Sequence, residues 1–181
     1  MYVKPEDLRF DILYQGDVLK SIPFFIFKEQ MNILKNLEKA NTYEIEAANE
    51  KSFENEDILS AVNTKTSNII ILSQTCDVQD KENIIIAPIY PIKLFEDNKI
   101  LTKEKAKQIR DRKYNYWFYL PKLEGIIEDS IADFQFIQYI PKLFLEKYKN
   151  NKIVTMSDWG RHHLGWALGN YFGRPIKDKY S

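Results

Sequence analysis

Asn68-Ile69-Ile70-Ile71-Leu72-Ser73 is the stretch on which the fold turns. A continuous run of β-branched and aliphatic residues of this length suits a strand covered on both faces rather than one with a wet side. It reads as the central strand of a sheet. It runs into Ser73-Gln74-Thr75-Cys76-Asp77, polar residues placed where a buried strand emerges, and the stretch 74–83 reads as a polar loop.

Working outward, Ile84–Ile92 (IIIAPIYPI) is a second strand, whose Pro88 and Pro91 are expected to end ladder pairing or force a bulge. On the N-terminal side, Asp17–Phe27 follows Gly16 as an extended segment, and Pro23 inside it points to an edge or bulged strand. Ile58–Lys65 reads as a further strand. Between these two, Lys28–Ala40 spaces Met31, Leu34 and Leu37 three apart, which suits a short amphipathic helix. The acidic stretch at about 41–57 has no sustained period and few apolar residues, so it is expected to be an excursion and the most mobile part.

Downstream, Thr102 is placed to cap a charged helix that ends at Arg112, and Tyr114–Leu120 is a strand. Ser130–Ile140 reads as one more strand, Pro141–Tyr148 as a short helix and Lys152–Met156 as a last extended piece. Ser157 caps a C-terminal helix over about 157–172. Leu164, Ala167, Leu168, Tyr171 and Phe172 recur on one face of it until Gly173 and Pro175 stop it. Trp166 falls on the opposite face, one turn after His162, which implies a second apolar contact surface. The fold class expected is α+β in one domain over 1–181: a small, bent, antiparallel β-barrel-like (SH3-like) sheet, a helical and acidic insertion, and a C-terminal helix.

Composition narrows the function classes. The 181 residues are 44% apolar and 29% charged, the profile of a chain that folds without disulfides or structural metal. The apolar runs reach only four or five residues, so no membrane segment is expected, and no signal peptide is visible at the N-terminus. Cys76 is the only cysteine. That excludes an internal disulfide and a cysteine-cluster zinc site, and with the missing signal it points to the cytoplasm. Lysines and arginines equal aspartates and glutamates at 26 each, which disfavours a globally basic nucleic-acid binder. The balance hides an asymmetry: residues 44–57 carry a net charge of minus five and residues 99–113 a net of plus five. The two segments could neutralise each other, and the basic one could face phosphates.

The candidate chemistry follows from placement. Cys76 could act as a nucleophile if His163 or its neighbour His162 removed its proton, with Asp77 or Asp17 orienting the imidazole. Against this, a cysteine more often serves as a small apolar filler, and Asp77 and Asp17 could instead cap turns at strand ends. Adjacent residues on a helix diverge by about 100°, so His162 and His163 cannot both point at one metal, and no metal is expected. Neither GxGxxG nor GxxxxGK[ST] occurs, so no nucleotide cofactor is expected. Lys103, Lys107, Arg110 and Lys113 run into Tyr114, Tyr116, Trp117, Phe118 and Tyr119, a composition able to neutralise phosphates while stacking bases.

Two resemblances bear on these residues. Gly16-Asp17-Val18-Leu19, followed by Asn68-Ile69-Ile70-Ile71-Leu72-Ser73, resembles the opening of the MazF/PemK-like toxins. That resemblance implies an SH3-like barrel, cleavage of single-stranded RNA and an antitoxin partner. Where the family carries a catalytic arginine before the strand, this chain has Ser67-Asn68, which implies a catalytically diverged module. Ser73-Gln74-Thr75-Cys76-Asp77, Tyr119-Leu120-Pro121, Arg161-His162-His163-Leu164 and Tyr171-Phe172-Gly173-Arg174 look like an uncharacterised prokaryotic family with an SQxCD strand end. That likeness supplies architecture and no chemistry.

The leading expectation is a binding module of a prokaryotic toxin, defence or mobile-element system. It would contact a protein partner, with His162 and Trp166 in the contact, or single-stranded RNA or DNA through the basic and aromatic residues. An endoribonuclease or cysteine-dependent hydrolase using Cys76 and Asp77 is the first alternative. A structural subunit docking through Trp166 and the insertion is the second.

Overall fold

Ile69, Ile70 and Ile71 are fully buried, so the isoleucine run is enclosed on both faces, as its composition requires. The computed structural model describes residues 1–26, 32–37, 42–47, 59–61 and 63–173. In chain order the strands are β1 (Asp17–Ile26), β2 (Asn32–Leu37), β3 (Thr42–Ala47), β4 (Leu59–Ala61), β5 (Asn63–Ile71), β6 (Asn83–Pro91), β7 (Trp117–Leu120), β8 (Ser130–Asp133), β9 (Gln138–Pro141) and β10 (Lys152–Thr155). The helices are α1 (Thr75–Asp80), α2 (Ile92–Asp97), α3 (Lys103–Arg110), α4 (Lys142–Glu146) and α5 (Asp158–Phe172). Two compact units are distinguished: Met1–Ile22 with Ser67–Ser181, and Pro23–Thr66.

The first unit is built on a seven-stranded sheet that curls into an antiparallel half-barrel, in the order β10-β1-β5-β6-β8-β7 with β9 also paired to β6. This is the bent, barrel-like α+β architecture expected. β5 stands inside the sheet between β1 and β6. β1 is not an edge strand at its start, since Asp17 to Leu19 pair with β10. Its register slips between Val18 and Leu19, and Ser21 takes a left-handed φ of 55°, so the irregularity signalled by Pro23 is a bulge. Pro88 stays in the ladder opposite Ile69 instead of ending it. On the other side of β6 the partner changes there, from β9 up to Ile86 to β8 from Ile89. The missing N–H thus falls where little pairing is lost.

Three further local expectations are corrected. Residues 75–80 of the supposed loop form α1. Ser130–Ile140 is two strands, β8 and β9, separated by a 3-10 turn at Phe134–Phe136, where the Asp133 carboxylate accepts the Gln135 N–H at 3.0 Å. Phe172 is 67% exposed instead of sharing the core face of α5 with Leu164.

The second unit overturns the insertion as read. Asn32–Leu37 is strand, not helix, and it pairs antiparallel with β3 on one side and β4 on the other. Leu34 stands opposite Ile45, and Lys35 opposite Glu44. The three-residue spacing of Met31, Leu34 and Leu37 fits a helix turn, but the alternation Tyr43-Glu44-Ile45-Glu46 supplies a strand partner, and a ladder outweighs a weak helical period. Thr42–Ala47 is accordingly ordered strand. The remainder of the acidic stretch, 48–57, and the expectation of mobility there lie outside the described residues.

Two apolar layers sandwich the sheet of the first unit. On one face Ile70, Leu72, Phe118, Ala132 and Phe134 pack with Leu164 of α5. On the other Ile131 packs with Ile92, Ala106 and Ile109 of α2 and α3, flanked by Trp117 and Tyr119. Alternation along β7 therefore sends Trp117 and Tyr119 toward α3, and Phe118 and Leu120 toward α5. Among the described residues, no helix is long and apolar enough to cross a membrane.

Candidate functional site

β7 is the last strand of its sheet, paired with β8 on one side and with no described strand on the other. Phe134 N–H donates to Tyr116 O at 2.9 Å, so Tyr116 and Phe134 form a hydrogen-bonded pair. The alternation of an antiparallel ladder then commits the main chain of Phe118 and Leu120 to β8 and turns the N–H and C=O of Trp117 and Tyr119 outward. A hollow of about 310 Å³ runs along this open edge.

Three segments build the walls of the hollow. The turn after α3 supplies Arg112, Lys113 and Tyr114; β7 supplies Trp117, Phe118 and Tyr119; α5 supplies His163, Trp166, Ala167 and Asn170. Trp159, His163, Trp166 and Asn170 follow a four- and three-residue rhythm along α5, so one stripe of the helix serves the groove. Arg112 occupies a left-handed backbone position (φ 57°) and reaches across to α5. Its Nη1 lies 3.3 Å from His163 Nδ1, and its guanidinium sits 5.9 Å over the Trp159 ring. A guanidinium only donates, so a hydrogen bond here has Nδ1 as its acceptor. The Trp159 and His163 rings are 4.0 Å apart. On the β7 side, Tyr116 and Tyr114 pack on Trp117 at 4.8 and 5.5 Å.

Asp129 stiffens this wall. Its carboxylate accepts from Tyr119 Oη (2.8 Å), Lys122 N–H (3.0 Å) and Arg110 Nε (3.2 Å). Burial pushes the Asp129 carboxyl up, but the Tyr119, Lys122 and Arg110 donors outweigh it and the net direction is down. The Tyr119 phenol is pushed up to about 12, by burial first and by Asp129 second. The Trp117 Nε1–H is buried and finds no acceptor at hydrogen-bonding geometry among the described residues, although it is near enough to Asp133 to favour that carboxylate. Burial, the larger effect, raises Asp133 all the same.

The residues singled out in the sequence scatter into three places. Lys113, Trp166 and His163 come together in the groove, with Tyr116 packed behind Trp117. Lys103, Lys107 and Arg110 share an exposed stripe of α3; Arg110 is held by Asp129, whereas Lys103, Lys107 and Lys113 make no ion pair with a described residue. Cys76 and Asp77 are exposed on α1, the thiol 3.9 Å from Gln74 Oε1. Among the described hydrogen bonds, none joins Cys76 or Asp77 to either histidine. Asp77 borders a separate hollow of about 500 Å³ beside Asp80, Glu82 and Tyr139. His162 is exposed and does not line the groove. Trp166 is 68% exposed. Among the described residues no group of three or more His, Cys, Asp or Glu is placed to hold a metal ion.

Sequence reasoning missed Arg112, Asp129, Trp159 and Asn170 as parts of one site. A signal existed for two of them, because Trp159 and Asn170 share the helical stripe of His163 and Trp166. Asp129 and Arg112 had none, since both act across tertiary contacts.

A polar network deeper in the same unit has the opposite character. Lys152 and Asp17 are fully buried as side chains and meet at 2.6 Å. Lys152 Nζ also donates to Arg9 O and Ile12 O, each at 2.6 Å. Asp17 accepts further bonds from Thr155 Oγ1 (2.6 Å) and Tyr14 N–H (2.8 Å). All three ammonium protons have acceptors. Burial raises the Asp17 carboxyl despite the opposing pull of Lys152.

Set against known proteins, the chain matches no family model and no curated protein.

Proposed function

We propose that this chain is a binding module that takes up an extended, acidic protein segment along the open edge of β7. The observation that carries the reading is the outward-turned main chain of Trp117 and Tyr119, which pairs with no described strand, inside an aromatic groove. An open edge offers both donors and acceptors, and an extended peptide answers both, whereas a nucleic-acid backbone offers mainly acceptors and leaves the two carbonyls unmatched. Arg112 and Lys113 at the groove and the unpaired lysines of α3 favour a negatively charged occupant. The aromatic walls give buried contact area at low entropic cost.

A second reading, single-stranded RNA or DNA, draws on the same aromatic walls and on Lys103, Lys107 and Lys113. One experiment separates the two. Fluorescence anisotropy is measured with a glutamate-rich hexapeptide and with single-stranded oligonucleotides, each at low and high salt. The proposal expects saturable peptide binding in which Lys113→Gln weakens affinity and salt dependence without touching the fold. Oligonucleotide binding whose log affinity falls steeply with log salt, with the slope reduced by about 1 in Lys113→Gln, and no peptide binding would replace it with the second reading.

A further inference from the structure

The two faces of the groove differ, and an added strand must sample both. A strand laid against β7 alternates its side chains between the faces, those abreast of Trp117 and Tyr119 emerging on one side and those abreast of Phe118 on the other. On the Phe118 side it meets α5, where Trp166 and Ala167 form the carbon-rich middle of a wall whose polar members, His163 and Asn170, lie about one turn to either side along the helix. On the Trp117 and Tyr119 side it meets the end of α3 and its following turn. Arg110, bridged to the Tyr119 hydroxyl through Asp129, lies there, and Lys113 follows in the same turn. Arg110 commits its Nε to Asp129, and among the described hydrogen bonds its Nη groups make none.

We infer that the partner segment alternates acidic and apolar residues, with the acidic side chains abreast of Trp117 and Tyr119 and an apolar one abreast of Phe118. This rests on the strand-addition reading above and adds to it the side-chain pattern that the module selects. Main-chain bonds hold the segment whatever its sequence, and the two-faced groove supplies discrimination. A segment shifted by one residue puts carboxylates against Trp166 and Ala167 and apolar groups against the bases, so the register is set by both faces at once.

The test uses the full chain and two labelled hexapeptides of identical composition. One alternates glutamate with valine or phenylalanine; the other places the glutamates first and the apolar residues last. The alternating peptide is expected to bind about tenfold tighter or more, which corresponds to one displaced charge or one lost apolar contact. Single backbone N-methyl groups are then walked along the alternating peptide. Methyls at positions of one parity are expected to weaken binding about tenfold each while those of the other parity leave it unchanged, because only alternate N–H groups of an added strand face β7. Loss at the glutamates marks an antiparallel segment, and loss at the apolar positions a parallel one. Equal affinity of the two arrangements, or equal effects of N-methylation at both parities, overturns the inference while peptide binding as such persists. Failure of both peptides to bind overturns the function it rests on.

Discussion

The groove at β7 and the Lys152–Asp17 network are both polar features mounted on one sheet, and they differ in whether their hydrogen-bonding capacity is spent. Lys152 and Asp17 have no solvent exposure, every ammonium proton has an acceptor, and the carboxylate is met by an ammonium, a hydroxyl and an amide. Neither side chain reaches solvent, so the network ties the segment before β1 to β1 and β10. The groove keeps main-chain donors and acceptors, bases and large rings facing outward. A charged residue is a weak pointer to function by itself; what counts is whether its partners are already present.

Breaking the spent network should have the largest effect. Lys152→Ala leaves Asp17 buried and uncompensated, and urea unfolding should show a loss of about 3–5 kcal/mol. Lys152→Met combined with Asp17→Asn should recover a good part of it, because no charge is then left without a partner. A single variant that unfolds at the wild-type urea concentration would show the pair to be dispensable.

The groove should behave inversely. Trp166→Ala removes an exposed ring, so stability should stay within about 0.5 kcal/mol of wild type. Affinity for the alternating peptide should fall by about 1–2 kcal/mol, the scale of an aromatic anchor in an interface. Unchanged affinity with an intact fold would remove α5 from the binding surface.

The smallest effect concerns how the groove wall is held. Tyr119 titrates at about 12 in the folded chain and near 10 when unfolded, so it contributes stability that is full below pH of about 10 and lost as pH rises through its folded value. Asp129→Asn removes the carboxylate but leaves the burial, so phenolate absorbance should show Tyr119, and to a lesser degree Tyr2, titrating at lower pH, though not at their free values. Asp129 itself has the opposite sign: its lowered carboxyl adds stability above about pH 4 that disappears on acidification. An alkaline titration identical to wild type would show that Asp129 does not hold Tyr119.

Much of the scaffold was legible in the residues. The isoleucine run could be nothing but a buried strand, Thr102 accepts the Lys105 N–H at 3.3 Å to cap α3, and Ser157 accepts that of Gly160 at 3.3 Å to cap α5. These depend on neighbours within a few positions in the chain. Within the helix expected at Lys28–Ala40, Asn32–Leu37 is strand because its partner, Thr42–Ala47, competes through pairing rather than propensity. For the site, the basic run and its aromatic sequel were visible, as was the unusual placement of Trp166, but their meeting was not.

The sequence alone determined that the isoleucine run is a strand of the main sheet, where the long helix begins, and that bases and rings would be neighbours along the chain, because these follow from composition and capping, whereas it merged β8 with β9 and joined β4 to the start of β5. Tertiary structure decided that β7 ends the sheet, that Arg112 reaches His163 and Trp159, and that Asp17 is silenced by Lys152. Each of those depends on contacts between residues dozens of positions apart, and whether a polar group is free or satisfied is a property of its neighbours in space.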